Sequence, residues 1–298
     1  MFSGAFTALI TPFKNGEVDG EALADLAEFQ IRQGVNGLVP CGTTGETPAL
    51  TEEEDRLVVE TAVHVSGGQV PVIAGTGSNS TDMAIKYTKM AEKAGADGSL
   101  QVAPYYNKPT QEGLFRHFAA IAENTSLPLI LYNIPSRTSI TLSAETVARL
   151  AELPNIVGIK DSTLSVSMVS DVRRLCGEDF AILSGDDPMT LPVMSLGGNG
   201  VISVASNVAP AAVSEMVKAL NSEDFERGRE LHYELFPLFR ALFLETNPIP
   251  VKAAASLLGL CSDEMRLPLV PMSGENLLKL QKVMEESAHL LPTPEEVR

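Results

Sequence analysis

The hydrophobic pattern of the chain alternates between short apolar runs and longer segments of helical period. Apolar residues in the longer segments recur at every third or fourth position, as at Leu23, Leu26, Ala27 and Ile31. The apolar runs predict eight strands, which we place at 4–10, 37–41, 70–75, 97–103, 127–133, 155–160, 180–185 and 200–204. The first helices are predicted at 20–34, 52–67, 80–95, 112–125 and 143–153.

This alternation predicts the fold class. Strands separated by helices pair in parallel, because each helical crossover returns the chain to the same end of the sheet. Eight such units close naturally into a (β/α)₈ TIM barrel, and a doubly wound open sheet is the alternative. Beyond residue 205 the pattern is helical only. We therefore predict a barrel over 1–224 that holds the active site and a C-terminal helical domain over 225–298.

Composition removes several classes of function. A formal net charge of −16 argues against nucleic acid and anionic membranes as partners. No apolar run is long enough to span a bilayer, and the N-terminus lacks the pattern of a signal peptide. The three cysteines are widely separated and the four histidines are isolated, so neither disulfides nor a metal site is predicted. A cytoplasmic location is expected.

One predicted strand ends in a lysine. The stretch "NIVGIKDST", residues 155–163, is apolar up to Lys160 and polar directly after it. Such a lysine either extends to solvent with its charge intact or acts as a Schiff-base nucleophile. In the second case, desolvation at the mouth of an apolar barrel disfavours the ammonium and leaves a neutral amine. The residues that end neighbouring strands decide between the two readings.

Other polar groups follow neighbouring predicted strands, at the end of a barrel where active sites form. Tyr132 ends the strand before that of Lys160, where its phenol either packs in the core or transfers protons. "GTTG", residues 42–45, is either a helix-capping turn or a cradle for a carboxylate. Arg137 is either an exposed loop residue or a bidentate partner of a carboxylate.

The motifs "CGTTGE", "YYNKPTQEGLFRHF", "YNIPSRT", "GIK" and "LGGNGVISV" occur in this order along the chain. Together they resemble the pyruvate-dependent class I aldolases of the N-acetylneuraminate lyase superfamily, and within it the dihydrodipicolinate synthase family. The resemblance extends from "GAFTALITPF" to "NPIPVK", nearly the whole chain. It implies a Schiff-base condensation of pyruvate with L-aspartate 4-semialdehyde in the diaminopimelate pathway of lysine biosynthesis.

The resemblance also implies catalytic roles. Lys160 would form the imine with pyruvate, so that no metal or organic cofactor is needed. Tyr132 would be the acid–base group, linked through Thr43 to Tyr106. In this family that last tyrosine comes from the neighbouring subunit of a dimer, and the implied assembly is a homotetramer built from two such dimers.

The implied substrate contacts come from four further positions. Thr44 would hold the carboxylate of pyruvate, and Arg137 would bind the carboxylate of the semialdehyde at the mouth of the site. Gly185 and Ile202 match positions that contact substrate through the backbone.

Some residues depart from the family pattern. Ser139 stands where glycine is usual, and Asp161-Ser162-Thr163 replaces the common Glu-Ala-Thr. Met83 occupies the position of a glutamate that binds lysine in feedback-sensitive members, which predicts weak or absent inhibition by lysine. Two alternatives stay open: a sister aldolase of the 2-keto-3-deoxygluconate or 4-hydroxy-2-oxoglutarate type, and a non-catalytic member that binds a small acid.

Overall fold

The computed structural model describes residues 2–297 of the chain. Its main sheet has eight parallel strands, one for each predicted strand. We number them β1 (Gly4–Ala8), β2 (Gly37–Val39), β3 (Ile73–Gly75), β4 (Gly98–Val102), β5 (Leu129–Asn133), β6 (Ile156–Asp161), β7 (Ala181–Ser184) and β8 (Gly200–Ser203). A two-stranded hairpin, Phe13–Lys14 with Glu17–Val18, follows β1.

The sheet closes into a barrel. Its strands lie in the spatial order β2-β1-β8-β7-β6-β5-β4-β3. A parallel bridge between Leu38 and Val72 joins the two ends of that order. The predicted (β/α)₈ barrel is therefore confirmed, and the open doubly wound sheet is not what the chain forms.

Helices separate the strands and extend beyond the last one. They are α1 (Gly20–Arg32), α2 (Glu52–Ser66), α3 (Thr81–Ala94), α4 (Gln111–Ala122), α5 (Pro135–Thr138), α6 (Ala144–Ala151), α7 (Val166–Cys176), α8 (Thr190–Ser195), α9 (Pro210–Asn221), α10 (Phe225–Ala241), α11 (Ile249–Leu257), α12 (Gly274–Glu286) and α13 (Pro294–Val297). Local chemistry fixes their ends: Thr51 and Glu54 form a capping box at the start of α2, and Gly67 ends that helix with a φ of 51°.

Strand ends differ from the predicted ones by a few residues. Predicted strands such as 4–10 and 127–133 include apolar residues that are buried beyond the hydrogen-bonded ladder, so burial alone does not mark a strand end. The strand of Lys160 instead runs one residue further, to Asp161. Lys160 is therefore the penultimate residue of β6 and not its last.

Apolar side chains fill both sides of the barrel wall. The interior cluster includes Phe6, Ile73, Ile130 and Leu183, and it also contains Tyr132 and Ile202, two of the predicted site residues. A larger cluster between the sheet and the helices extends into the C-terminal region through Leu231, Leu235, Leu238 and Phe239 of α10. The C-terminal helices thus pack on the barrel and share its core. No helix among residues 2–297 is long and apolar enough to cross a membrane.

Candidate active site

Lys160 lies buried near the carboxyl end of β6. Only 6% of the residue is exposed, and its Nζ lies 4.2 Å from the centroid of the Tyr132 ring. Parallel pairing sets this contact, because Lys160 is in register with Tyr132 on β5 and with Leu183 on β7. Nζ thus lies over the face of the phenol ring. The side chain therefore does not extend to solvent.

Gly185, directly after β7, leaves room for the lysine. A Cβ atom at this position would lie 3.0 Å from Cε and 3.1 Å from Cγ of Lys160, and it would also collide with Oγ of Ser162. Its backbone N–H donates to the carbonyl of Asp161 at 2.8 Å. The glycine thus allows β7 to approach the stem of the lysine as closely as it does.

The threonine pair lies in a tight loop after β2. Gly45 N–H donates to the carbonyl of Gly42 at 3.1 Å, and Glu46 N–H donates to that of Thr43 at 3.2 Å. Thr44 is buried, and its Oγ1 accepts a hydrogen bond of 3.0 Å from Nδ2 of Asn247. Asn247 lies in the segment between α10 and α11, so the C-terminal region contacts the loop.

An ion pair lies beneath the same loop. Glu46 has a φ of 55°, and its Oε1 accepts a hydrogen bond of 2.6 Å from Nζ of Lys252 on α11. The two side chains are 1% and 0% exposed, respectively. Oε2 of Glu46 accepts a hydrogen bond from the backbone N–H of Arg266 at 3.2 Å. The loop is therefore fixed from below by C-terminal residues.

A cavity of about 440 Å³ opens at the carboxyl ends of β2 to β5. Three predicted site residues line it, namely Thr43, Tyr132 and Arg137. The other five lie outside its lining, namely Thr44, Tyr106, Lys160, Gly185 and Ile202. Tyr132 connects the two groups, because it lines the cavity and contacts Lys160. No hydrogen bond joins the hydroxyls of Thr43 and Tyr132 within the part of the chain that the structure describes.

Arg137 and Tyr106 lie toward the surface. Arg137 is on the short helix α5, and its Nη2 donates to the backbone carbonyl of Asn247 at 3.0 Å. Tyr106 is 90% exposed with a φ of 72°, and it does not line the cavity of its own chain; Tyr105 does. The structure thus brings Arg137, but not Tyr106, to the site of a single chain.

Two buried carboxyl groups lie near the predicted site residues, Asp55 in the lining of the cavity and Asp161 directly after Lys160. Burial raises the pKa of Asp55, which lines the cavity, to about 6, although the hydroxyl of Thr47 donates to it at 2.9 Å. Burial also raises the pKa of Asp161, opposed by hydrogen bonds from Thr163 N–H at 3.2 Å and Oγ1 at 2.6 Å. The polar tail of "NIVGIKDST" thus forms a turn closed by its own aspartate.

Metal ligation finds no geometric support. Among residues 2–297 there is no group of three or more His, Cys, Asp or Glu side chains that could hold an ion. All three cysteines are free thiols, and burial raises the pKa of the Cys41 thiol well above its usual value. That thiol is therefore a packed side chain and a poor nucleophile.

Comparison with known proteins assigns the family. The model of the dihydrodipicolinate synthetase family matches residues 1–287. The chain belongs to this family. A curated 4-hydroxy-tetrahydrodipicolinate synthase from Syntrophus aciditrophicus is 54% identical over 285 residues, which cover 96% of this chain and 98% of the relative.

Solved structures of the family agree with the fold. Dihydrodipicolinate synthase from Aquifex aeolicus superimposes with a TM-score of 0.96 at 51% identity and covers 98% of this chain and 100% of its own. The enzyme from Acinetobacter baumannii, solved in complex with pyruvate, gives 0.95 at 44% identity, with coverages of 97% and 99%. These findings confirm the family and the synthase activity that the sequence predicts.

Several residues that support the site were not predicted from the sequence. Asn247, Lys252 and Arg266 lie about 200 positions from the threonine loop they contact. One signal was available: Lys252 follows the apolar stretch "PIPV" in a helix that is apolar on both sides of it. A lysine in such a position requires a buried partner, and the sequence alone does not say which.

Proposed function

We propose that this protein condenses pyruvate with L-aspartate 4-semialdehyde, the 4-hydroxy-tetrahydrodipicolinate synthase reaction of lysine and diaminopimelate biosynthesis. The observation that carries the proposal is the buried amine of Lys160, placed against the ring of Tyr132 near the carboxyl end of β6. Its membership of the family and the names of its relatives support the same reaction.

In the first half-reaction the neutral amine of Lys160 attacks the ketone carbon of pyruvate. Water leaves, and a protonated imine forms that withdraws electrons from the adjacent methyl group. Loss of a methyl proton then gives an enamine. Tyr132 is the proposed acid–base group, because its ring lies beside the amine while its side chain lines the cavity. The imine serves as the electron sink, so the reaction requires no further cofactor.

In the second half-reaction the enamine carbon attacks the aldehyde carbon of the semialdehyde. The amino group of that substrate then adds to the imine carbon, closes the ring and displaces Lys160. Arg137, at the mouth of the cavity, is the proposed partner of the carboxylate of the semialdehyde, and Thr44 that of the carboxylate of pyruvate. Gly185 and Ile202 would contact the bound substrate through their backbones.

The proposal includes an assembly. Tyr106 is 90% exposed in the single chain, which fits a tyrosine that completes, with Thr43 and Tyr132, the proton relay of a neighbouring subunit. We therefore propose a cytoplasmic homotetramer made of two dimers. Within each subunit, residues 1–224 form the catalytic barrel and 225–298 a helical extension. Tyr106→Phe should lower kcat without loss of secondary structure, and a monomer in sedimentation experiments would contradict the assembly.

Trapping of the imine tests the central step. Borohydride reduction in the presence of pyruvate should add a pyruvate-derived group to Lys160, located by mass mapping of peptides. Lys252 is an internal control, because it is also buried but has a carboxylate partner. A Lys160→Arg variant should give no adduct. No adduct at Lys160 in the unaltered protein would refute the Schiff base and would favour a member that only binds a small acid.

The second substrate is tested by turnover. The protein with pyruvate should consume L-aspartate 4-semialdehyde much faster than it cleaves 2-keto-3-deoxygluconate or 4-hydroxy-2-oxoglutarate. Faster cleavage of either of those acids would assign the chain to a sister aldolase. Arg137→Ala should raise KM for the semialdehyde more than KM for pyruvate, because only the former carboxylate is proposed to reach that side chain.

A further inference from the structure

Asn247 joins the two residues proposed to hold the two substrate carboxylates. Its side-chain Nδ2 donates to Oγ1 of Thr44 at 3.0 Å, and its backbone carbonyl accepts from Nη2 of Arg137 at 3.0 Å. We propose that Asn247 is a positioning residue, which sets the orientation of Thr44 and the location of Arg137 relative to each other. The inference rests on the proposed function, because it assigns both partners a substrate.

The contact with Thr44 fixes the direction of a hydroxyl. Asn247 is 6% exposed, and among the described residues its Oδ1 has no hydrogen-bond partner. Within residues 2–297, this buried amide therefore makes a single side-chain hydrogen bond, the one to Thr44. When Oγ1 accepts from the amide, the hydroxyl proton is left free to point elsewhere and to donate to a carboxylate. Such an alignment removes the cost of orienting the group during binding.

The contact with Arg137 restricts a flexible side chain. Arginine loses rotamer entropy when its long side chain is immobilised. The carbonyl of Asn247 already binds one N–H of the guanidinium, so the side chain loses less freedom when substrate binds. The other N–H donors of the guanidinium remain available to a carboxylate. The carbonyl cannot be removed by substitution, but the buried side chain of the same residue anchors it to Thr44.

The two contacts come from one residue of the segment between α10 and α11. The segment thus links the loop after β2 to the helix after β5, across the mouth of the cavity. A shift of this segment would move both carboxylate partners together. The structure therefore gives the C-terminal extension a part in substrate binding, in addition to its packing on the barrel.

Asn247→Leu tests the inference, because leucine has a similar size and cannot donate. Loss of one buried hydrogen bond of about 1–1.5 kcal/mol predicts a rise of about tenfold in KM for pyruvate. We expect a smaller rise in KM for the semialdehyde, and kcat within about threefold of its original value. Asn155→Leu is the matched control: Asn155 Nδ2 donates to the carbonyl of Ala122 at 2.9 Å, directly before β6 and outside the segment that contains Asn247. It should leave both KM values unchanged.

A double-mutant cycle separates positioning from general loosening. If Asn247 acts through Thr44, the pair Asn247→Leu and Thr44→Val should raise KM for pyruvate no more than Thr44→Val alone. Should the leucine variant fail to fold, Asn247→Ala takes its place in the same cycle. Effects that multiply, or a KM for pyruvate within twofold of the original, would overturn the inference. The borohydride adduct at Lys160 of the unaltered protein tests the proposed function independently.

Discussion

Removal of the ammonium beneath the threonine loop should destabilise the whole protein. Lys252→Met keeps the length and apolar stem of the side chain but leaves the carboxylate of Glu46 buried without its partner. The two groups are 2.6 Å apart, and neither side chain is more than 1% exposed. Nζ of Lys252 also lies 4.1 Å from the centroid of the Phe13 ring. Burial lowers the pKa of Lys252, although Glu46 opposes that shift.

The geometry sets the size of the effect. At 2.6 Å and an effective dielectric constant of about 20, the attraction between the two charges is about 6 kcal/mol. Desolvation of both ions offsets much of it, so the pair itself stabilises the fold by far less. Loss of one partner leaves the other charge uncompensated, which costs about 3–5 kcal/mol. We expect a loss of that size in the free energy of unfolding by urea, at one fixed protein concentration.

Two further variants make the test specific. Lys252→Met combined with Glu46→Gln removes both charges and should recover most of the lost stability. Lys279→Met is the matched control, because Nζ of Lys279 lies 2.7 Å from Glu275 while the two side chains are 53% and 82% exposed. Exposed pairs contribute little to stability, because solvent screens the two charges. If Lys252→Met and Lys279→Met cost the same, the reasoning from burial is refuted.

Three further predictions concern other residues. Gly185→Ala places a methyl group against the stem of Lys160, so kcat/KM and borohydride trapping with pyruvate should fall about 100-fold; trapping at the original rate would contradict the packing argument. Burial lowers the pKa of His117 to about 4 from 6.5. The stability linked to its neutral form is therefore fully present above pH 6.5 and is lost as the pH falls. By pH 4 the free energy of unfolding should have fallen by about 3 kcal/mol. His117→Gln should flatten that pH dependence in urea unfolding, whereas His64→Gln, on the surface, should not. Because Met83 offers no charge to the amine of lysine, turnover should be insensitive to sub-millimolar lysine, and inhibition there would refute this prediction.

The barrel was predictable because its strands are short, apolar and separated by helices of clear period. The sites at its rim were predictable for the same reason, since strand ends fall at fixed places in such a barrel. Lys160 and Tyr132 needed no more than their positions in consecutive strands, and parallel pairing places them in register. Their roles in catalysis stay a proposal, because packing does not reveal chemistry.

The hairpin after β1 was not predicted, although its signal is present. Asn15 and Gly16 adopt φ values of 55° and 83°, as a tight type I′ turn requires. Each strand has only two residues, which is too short to show the alternation of a sheet. The long-range contacts could not be predicted from the sequence for a different reason. Nothing in the local sequence of Asn247 indicates that it bonds to Thr44, 203 positions earlier.

The two buried lysines among residues 2–297 differ in one feature that bears on the role proposed for Lys160. Each Nζ lies over an aromatic ring, at 4.2 Å from the centroid of Tyr132 for Lys160 and 4.1 Å from that of Phe13 for Lys252. Burial and a ring contact therefore do not distinguish them. Lys252 has the carboxylate of Glu46 at 2.6 Å, whereas among residues 2–297 no acidic side chain forms an ion pair with Lys160. The amine without an acidic partner is the one that lies beside the phenol and the cavity, where the proposed imine would form. Borohydride reduction in the presence of pyruvate should therefore label Lys160 and not Lys252. In the Glu46→Gln variant Lys252 should still remain unlabelled, because its amine stays buried beneath the loop.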